Sequence, residues 1–206
     1  MDVRGRSRTL RVNYRTSHQI RMQSDRLLGP ELADADGNSE PRKGTVSIFN
    51  GPLPQVSVFK SEAEETKAAA DWLRARGREG IAPQEMGIFV RSAAELPRAR
   101  AALDASGVPY QVLDDKMQLT GNRACVSTMH LAKGLEFRAV ACLACDDEVI
   151  PLQQRIEGVG DEADLEEVYA TERHLLYVAC TRARDHLLVT GIKPASEFLD
   201  DLRNCR

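Results

Sequence analysis

The chain has 206 residues, 42% of them hydrophobic and 29% charged, with a formal net charge of −3. This is the composition of a folded chain able to bury a sizeable core, not of a disordered or collagenous one. The slightly acidic balance speaks against a uniformly basic nucleic-acid module. No stretch approaches the ~20 apolar residues that span a bilayer, and the polar, arginine-rich start is unlike a secretory signal, so a soluble intracellular chain is expected.

In chain order, seven arginines crowd the stretch from Arg4 to Arg26. Within it, Ser17–Leu28 reads as a short helix, with Thr16 or Ser17 as its cap and Gly29-Pro30 as its stop. Residues 34–43 are rich in Asp, Gly, Asn, Ser and Pro and read as a loop. Thr45–Asn50 and Gln55–Lys60 alternate and are β-prone. Ser61, with Glu64 three residues on, has the form of a capping box and predicts a helix to about Arg78. Met86–Val90 reads as a strand, Ala93–Ser106 as a helix ended by Gly107, and Val108–Leu113 as another strand.

Residues 114–123 read as a polar connector. Cys125–Met129 and Arg138–Cys145 read as strands, and 146–162 as an acidic loop containing glycine. A long helix is expected from Ala163 to about Arg184, then a strand over His186–Thr190 and a helix over Ala195–Leu202. Strands alternating with helices of 12 to 20 residues predict a mostly parallel sheet covered on both faces. Ligands of such sheets bind beyond the carboxyl ends of the strands, which directs attention to the polar clusters at 91–95, 127–136 and 146–150.

Of the five cysteines, Cys142 and Cys145 have metal-ligand spacing but no second pair, and they lie in a predicted strand. Packing as reduced thiols is favoured over a metal or redox role.

Three segments carry a sharper signal. Leu10-Arg-Val-Asn-Tyr-Arg-Thr16 resembles motif IV of the UvrD/Rep superfamily 1 DNA helicases. Thr128-Met-His-Leu-Ala-Lys-Gly-Leu-Glu-Phe137 resembles motif V, and Glu172-Arg-His-Leu-Leu-Tyr-Val-Ala-Cys-Thr-Arg-Ala183 resembles motif VI. Their order and spacing match across almost the whole stretch from Leu10 to Leu202. The resemblance implies an α/β, RecA-like (P-loop NTPase-like) domain: the C-terminal motor half of such a helicase. On that reading residues 1–9 are a lead at the start of a fragment, and residues 10–206 are one domain.

The sequence also departs from the family. Thr16 stands for the usual Ser. Thr171 and His174 replace the usual Glu and Arg. Residues 114–123 stand where the family inserts a helical subdomain. No G-x-x-x-x-G-K-[ST] loop occurs, and no acidic Mg²⁺-binding strand of the Walker B type is visible.

The resemblance assigns roles residue by residue. Arg15 and Arg182 become the γ-phosphate contacts, because a planar, always-charged fork suits phosphate oxygens and developing charge. If the long helix runs to Arg184, Arg182 lies near the side of Leu175, at the end of a packed face, where it needs a partner or a cleft. Tyr14 becomes the adenine-stacking ring. Glu136 accepts from the ribose, with a plain turn carboxylate as the alternative, and Gly134 lets backbone approach the nucleotide. Thr128, His130, Lys133 and Arg91 become candidates for DNA contact, and Lys133 also for coupling the two sites. Glu172 is expected to pair internally with an arginine.

The implied cofactors are ATP and Mg²⁺, the metal held by an N-terminal RecA-like domain of the same polypeptide. The implied partner is single-stranded or partly duplex DNA, in the cytoplasm at the nucleoid. The chain alone is expected not to hydrolyse ATP, lacking the phosphate cradle. The rival reading is a non-catalytic helicase-like scaffold.

Overall fold

Helix starts in this chain are set by local chemistry. In the computed structural model, which describes residues 12–28, 31–33, 39–41, 46–113 and 121–203, the Ser61 Oγ accepts the Glu64 N–H at 3.3 Å. The Glu64 carboxylate reaches back to the Lys60 N–H at 2.9 Å. Two donors at the helix start are thereby satisfied. Gly107 ends a later helix at φ +75°, a left-handed conformation that a side chain would oppose.

The elements among the described residues are, in chain order, β1 (Val12–Asn13), α1 (His18–Ser24), β2 (Glu31–Ala33), β3 (Ser39–Pro41), β4 (Val46–Ser47), β5 (Gln55–Phe59), α2 (Glu62–Arg78), β6 (Met86–Val90), α3 (Leu96–Ser106), β7 (Tyr110–Val112), β8 (Ala124–Thr128), β9 (Phe137–Cys142), α4 (Gln153–Glu157), α5 (Glu162–Cys180), β10 (Ala183–Ile192) and α6 (Glu197–Arg203).

Six strands form one sheet in the order β5-β10-β9-β6-β8-β7, every neighbouring pair parallel. Side chains along β9 alternate between two cores, as strand geometry requires. Ala139 and Ala141 face α2 and α3, where Leu73, Ala99 and Leu103 meet Ile88 and Val126. Val140 and Cys142 face α1, α5 and α6, where Ile20, Leu176, Ala179 and Phe198 meet Phe89 and Val189. Each fully buried Leu, Ile or Phe contributes about 1.5–3 kcal/mol. The fold is thus α/β with helices on both faces.

Gly87 is required by packing: a Cβ there would lie 2.5 Å from the Phe137 ring. Cys125, Cys142, Cys145 and Cys180 are buried and unbridged. Burial pushes the Cys125 thiol up to about 12, so these residues serve as apolar packing groups.

The structure alters several expected boundaries. The long helix stops at Cys180 instead of Arg184. The Thr181 hydroxyl donates to the Tyr177 and Val178 carbonyls, at 2.9 and 3.0 Å, and Ala183 is already paired with Phe137 in the sheet. β10 therefore begins earlier and runs to Ile192. The expected strand 45–50 contracts to β4, which pairs in parallel with β1. Part of the expected loop 34–43 is strand, since β3 pairs antiparallel with β2. The expected loop 146–162 contains the short helix α4. The lead segment 1–9, residues 29–30 and most of the connector (114–120) lie outside the described residues. Among the described residues no helix is long and apolar enough to cross a membrane.

Candidate functional site

A cleft of about 630 Å³ opens at the amino ends of β9 and β10. Tyr14, Arg15, Glu136 and Arg182, from three distant stretches of sequence, all line it. Glu136 immediately precedes β9, and Arg182 immediately precedes β10. This corrects the expectation that the cleft lies at the strands' carboxyl ends. That rule relies on helices that begin after strands; here the wall is the C-terminal end of α5 together with the segment leading into α1. Arg21, Tyr177 and Val178 also line the cleft and were not singled out from the sequence. Arg21 falls one turn past the Ser17 cap, a signal the helix pattern already contained.

The arginines are held by different means. The Arg15 N–H donates to the Asn13 Oδ1 at 2.8 Å. The Thr16 hydroxyl donates to the Thr181 carbonyl at 3.3 Å, and the Ser17 N–H to the Arg184 carbonyl at 3.0 Å. The loop bearing Arg15 is therefore pinned to the turn bearing Arg182. The Arg15 Nε lies 3.0 Å from the Glu136 Oε2, but the two side chains are 54% and 47% exposed. Such a pair contributes only about 0–1 kcal/mol and exchanges readily for another anion.

Arg182 is half-buried. Its Nε donates to the Val178 carbonyl at 2.9 Å and its Nη1 to the Leu135 carbonyl at 3.4 Å. Its own carbonyl accepts from the Phe137 N–H at 3.0 Å. Because the helix ends before it, Arg182 occupies a turn and not a helix face, which corrects the placement expected from spacing. Among the described residues no carboxylate stands within 4 Å of its guanidinium. Burial, then the neighbouring charge of Arg15, lowers its pKa. Three arginines, Arg15, Arg21 and Arg182, thus line a cleft with one carboxylate, Glu136; with Arg21 paired to Asp25 at 3.4 Å, the other two still leave it with excess positive charge. Tyr14 stands at its edge, 67% exposed. Gly134 is exposed at φ +87°, with open space where a Cβ would be.

Thr128 and His130 lie at the other rim, the carboxyl end of β8. Thr128 is half-buried; His130 and, further along, Lys133 are exposed. Burial, then the charge of Arg91, lowers the His130 pKa, which leaves the imidazole neutral near pH 7. The segment 129–136 leaves this rim and arrives at the cleft beside Glu136.

Arg91 is not on this surface, and its expected DNA contact is corrected. It is 3% exposed, and its Nε and Nη2 donate to the Glu172 carboxylate at 2.5 and 2.6 Å. A guanidinium engaged in this way has no face left for a phosphate. Glu172 has the arginine partner expected for it, and a second besides: Arg155 Nη1 donates to it at 3.0 Å.

Residues 114–194 match the family model of the UvrD-like helicase C-terminal domain. Over these residues the chain is similar to UvrD-like helicase C-terminal domains. The matched segment contains Thr128, His130, Gly134, Glu136 and Arg182, whereas Tyr14 and Arg15 precede it. The ATP-dependent DNA helicase PcrA of Bacillus subtilis is 35% identical over 88 residues, which are 42% of this chain and 11% of PcrA. DNA helicase II of Rickettsia typhi is 33% identical over 85 residues, 41% of this chain and 12% of that protein. A Bacillus subtilis protein with a provisional name as ATP-dependent DNA helicase YjcD is 49% identical over 65 residues, 31% of this chain and 8% of that protein. The chain therefore spans only about a tenth of the length of the curated relatives it matches. The crystal structure of the C-terminal domain of a possible DNA helicase from Lactobacillus plantarum superposes with a TM-score of 0.62. It covers 92% of this chain and 94% of that one at 23% identity, a likeness of fold.

Proposed function

We propose that residues 10–206 are the second RecA-like motor domain of an ATP-dependent DNA helicase. It closes over ATP held by an N-terminal RecA-like domain of the same polypeptide and grips single-stranded or partly duplex DNA in the cytoplasm. The observation that carries this reading is the convergence of Arg15 and Arg182 in one cleft, with Tyr14 and Glu136 beside them.

The residues present suit a nucleoside triphosphate. Two guanidiniums suit its anionic end, an exposed ring suits a base, and a carboxylate suits ribose hydroxyls. They do not suit Mg²⁺. The Glu136 carboxylate faces Arg15, and among the described residues no group of three His, Cys, Asp or Glu side chains is placed for a metal. The metal is accordingly assigned to the other domain, and no step here passes through it.

On this reading the weak Arg15–Glu136 pair is a resting contact. Arg15 turns to the γ-phosphate and leaves Glu136 to accept from the ribose. Arg182, held by its bonds to the Val178 and Leu135 carbonyls and the Thr181 hydroxyl, meets the same phosphate from a fixed position. Its charge counts for more in a half-buried site than it does in water. Gly134 leaves room for backbone to approach the nucleotide. Closure gains free energy only while the γ-phosphate bridges the two domains, so hydrolysis releases it. Thr128, His130 and Lys133 sit on the segment that runs from the DNA rim to the cleft, and so supply the coupling.

The test is kinetic. In an intact motor carrying this domain, Arg182→Ala should leave nucleotide binding largely intact and lower kcat by roughly 10³-fold. The 206-residue chain alone, given ATP, Mg²⁺ and single-stranded DNA, should show no turnover above buffer. An unchanged kcat, or robust hydrolysis by the chain alone, overturns the proposal.

A further inference from the structure

Arg91 is withdrawn into the interior, yet the rim it was expected to serve still carries an unneutralised guanidinium. Arg91, Glu172 and Arg155 form a chain of charges. Glu172 is fully buried and takes two hydrogen bonds from Arg91 and one from Arg155. One carboxylate is shared by two guanidiniums, so the group is net positive. Arg91 spends its charge indoors, while the Arg155 side chain is 38% exposed. Among the described residues the Arg155 guanidinium has Glu172 as its one side-chain partner, bonded through Nη1. Its remaining donors are therefore available.

We propose that Arg155, with His130 and Thr128, forms a contact point for a phosphodiester of a single strand, in the role that the sequence suggested for Arg91. The inference rests on the DNA-binding reading above and adds a residue to it. Arg155 lies on α4, which follows the carboxyl end of β9; Thr128 ends β8, and His130 sits in the turn after it, so the three share one rim of the parallel sheet. The field of Arg155 reaches His130, where it opposes protonation. Glu172 fixes Arg155 in place, so little side-chain entropy remains to be lost on meeting an anion.

The surroundings also define the direction of approach. Beyond α4, Asp147, Glu148, Glu197 and Asp200 line an acidic hollow floored by Ile156 and Tyr169. A phosphate is repelled from that side and directed to the Arg155 side.

The experiment is fluorescence anisotropy of labelled oligo(dT) and oligo(dC) with the 206-residue chain across a salt series. Arg155→Ala should weaken binding to both oligonucleotides alike. It should also reduce the slope of log K against log salt by about 0.7, the loss of one single-strand phosphate contact. Arg155→Lys, which keeps the charge, should keep the slope. A merely structural role for Arg155 would lower the melting temperature without changing the slope. If wild type binds with a clear salt slope and Arg155→Ala keeps it, this inference falls while the DNA reading stands. If wild type shows no salt-dependent binding, both fall.

Discussion

Glu172→Gln isolates the one buried ion pair that joins the carboxyl end of β6 to α5. Glutamine keeps the volume and one acceptor oxygen but removes the charge. Arg91, 3% exposed, is then a buried cation whose two short hydrogen bonds no longer end on an anion. Breaking a buried pair on one side costs about 3–5 kcal/mol. The Arg155 contact adds at most about 1 kcal/mol, because that side chain can rehydrate. For a chain of this length each kcal/mol moves the melting temperature by about 2–4 °C, so a fall of roughly 6–20 °C is expected. Urea unfolding followed by far-UV circular dichroism should show a lower midpoint at unchanged m. The double variant Arg91→Met/Glu172→Leu should sit closer to wild type than Glu172→Gln, since it leaves no orphaned charge. A cost for Glu172→Gln below about 1 kcal/mol would refute the reasoning, because a pair that cheap to break is not desolvated.

Two further outcomes follow from the packing and the charges. Gly191→Ala should be more damaging than Gly87→Ala. A Cβ at 191 would press into the Cys145 main-chain carbonyl, whereas one at 87 would meet the edge of the Phe137 ring, which can tilt. Thermal melts should give Gly87→Ala a cost of about 1–3 kcal/mol and Gly191→Ala a larger one; the reverse order would contradict the geometry. Stability should also fall in two stages on acidification. Burial, then Arg76, holds the His186 pKa below its usual 6.5, so below pH 6.5 the unfolded chain binds the proton first and folding weakens. Burial alone would raise the Glu172 carboxyl, but the hydrogen bonds and charge of Arg91 outweigh it and hold it below 4.5. Its contribution is present above pH 4.5 and lost as the pH falls from there. Melting temperature against pH should show both stages, and His186→Gln should diminish the first.

What could be read from the sequence was mostly what short range decides. Ser61 and Glu64 announced α2, Gly107 announced the end of α3, and strands alternating with helices along the chain announced a covered parallel sheet. The residues of the cleft were legible through motifs whose members the fold then gathers. The misreadings concern events that depend on distant partners. Arg91 follows a strand and looks exposed; only Glu172, 81 residues away, draws it inside. The long helix reads on through Arg184, because nothing local reveals that Ala183 pairs with Phe137. α4 has five residues, too few to display a period. Arg155 was overlooked for the same reason: its importance comes from what stands across from it.

The crossover from β8 to β9 is short, eight residues from 129 to 136. It must descend the height of the sheet, about 17 Å, and pass over β6, two strand spacings or about 10 Å, a path near 20 Å. Of its eight residues, Met129–Ala132 form a single tight turn, and the Leu135 N–H closes a second turn on the Ala132 carbonyl at 3.1 Å, with Gly134 at φ +87°. Added length there would disrupt the turns that set His130 and Glu136 relative to each other, whereas surface loops elsewhere tolerate insertions at small entropic cost. The turn pattern of this one short segment makes its residue count, and not only its residue identities, decide where Glu136 stands relative to His130.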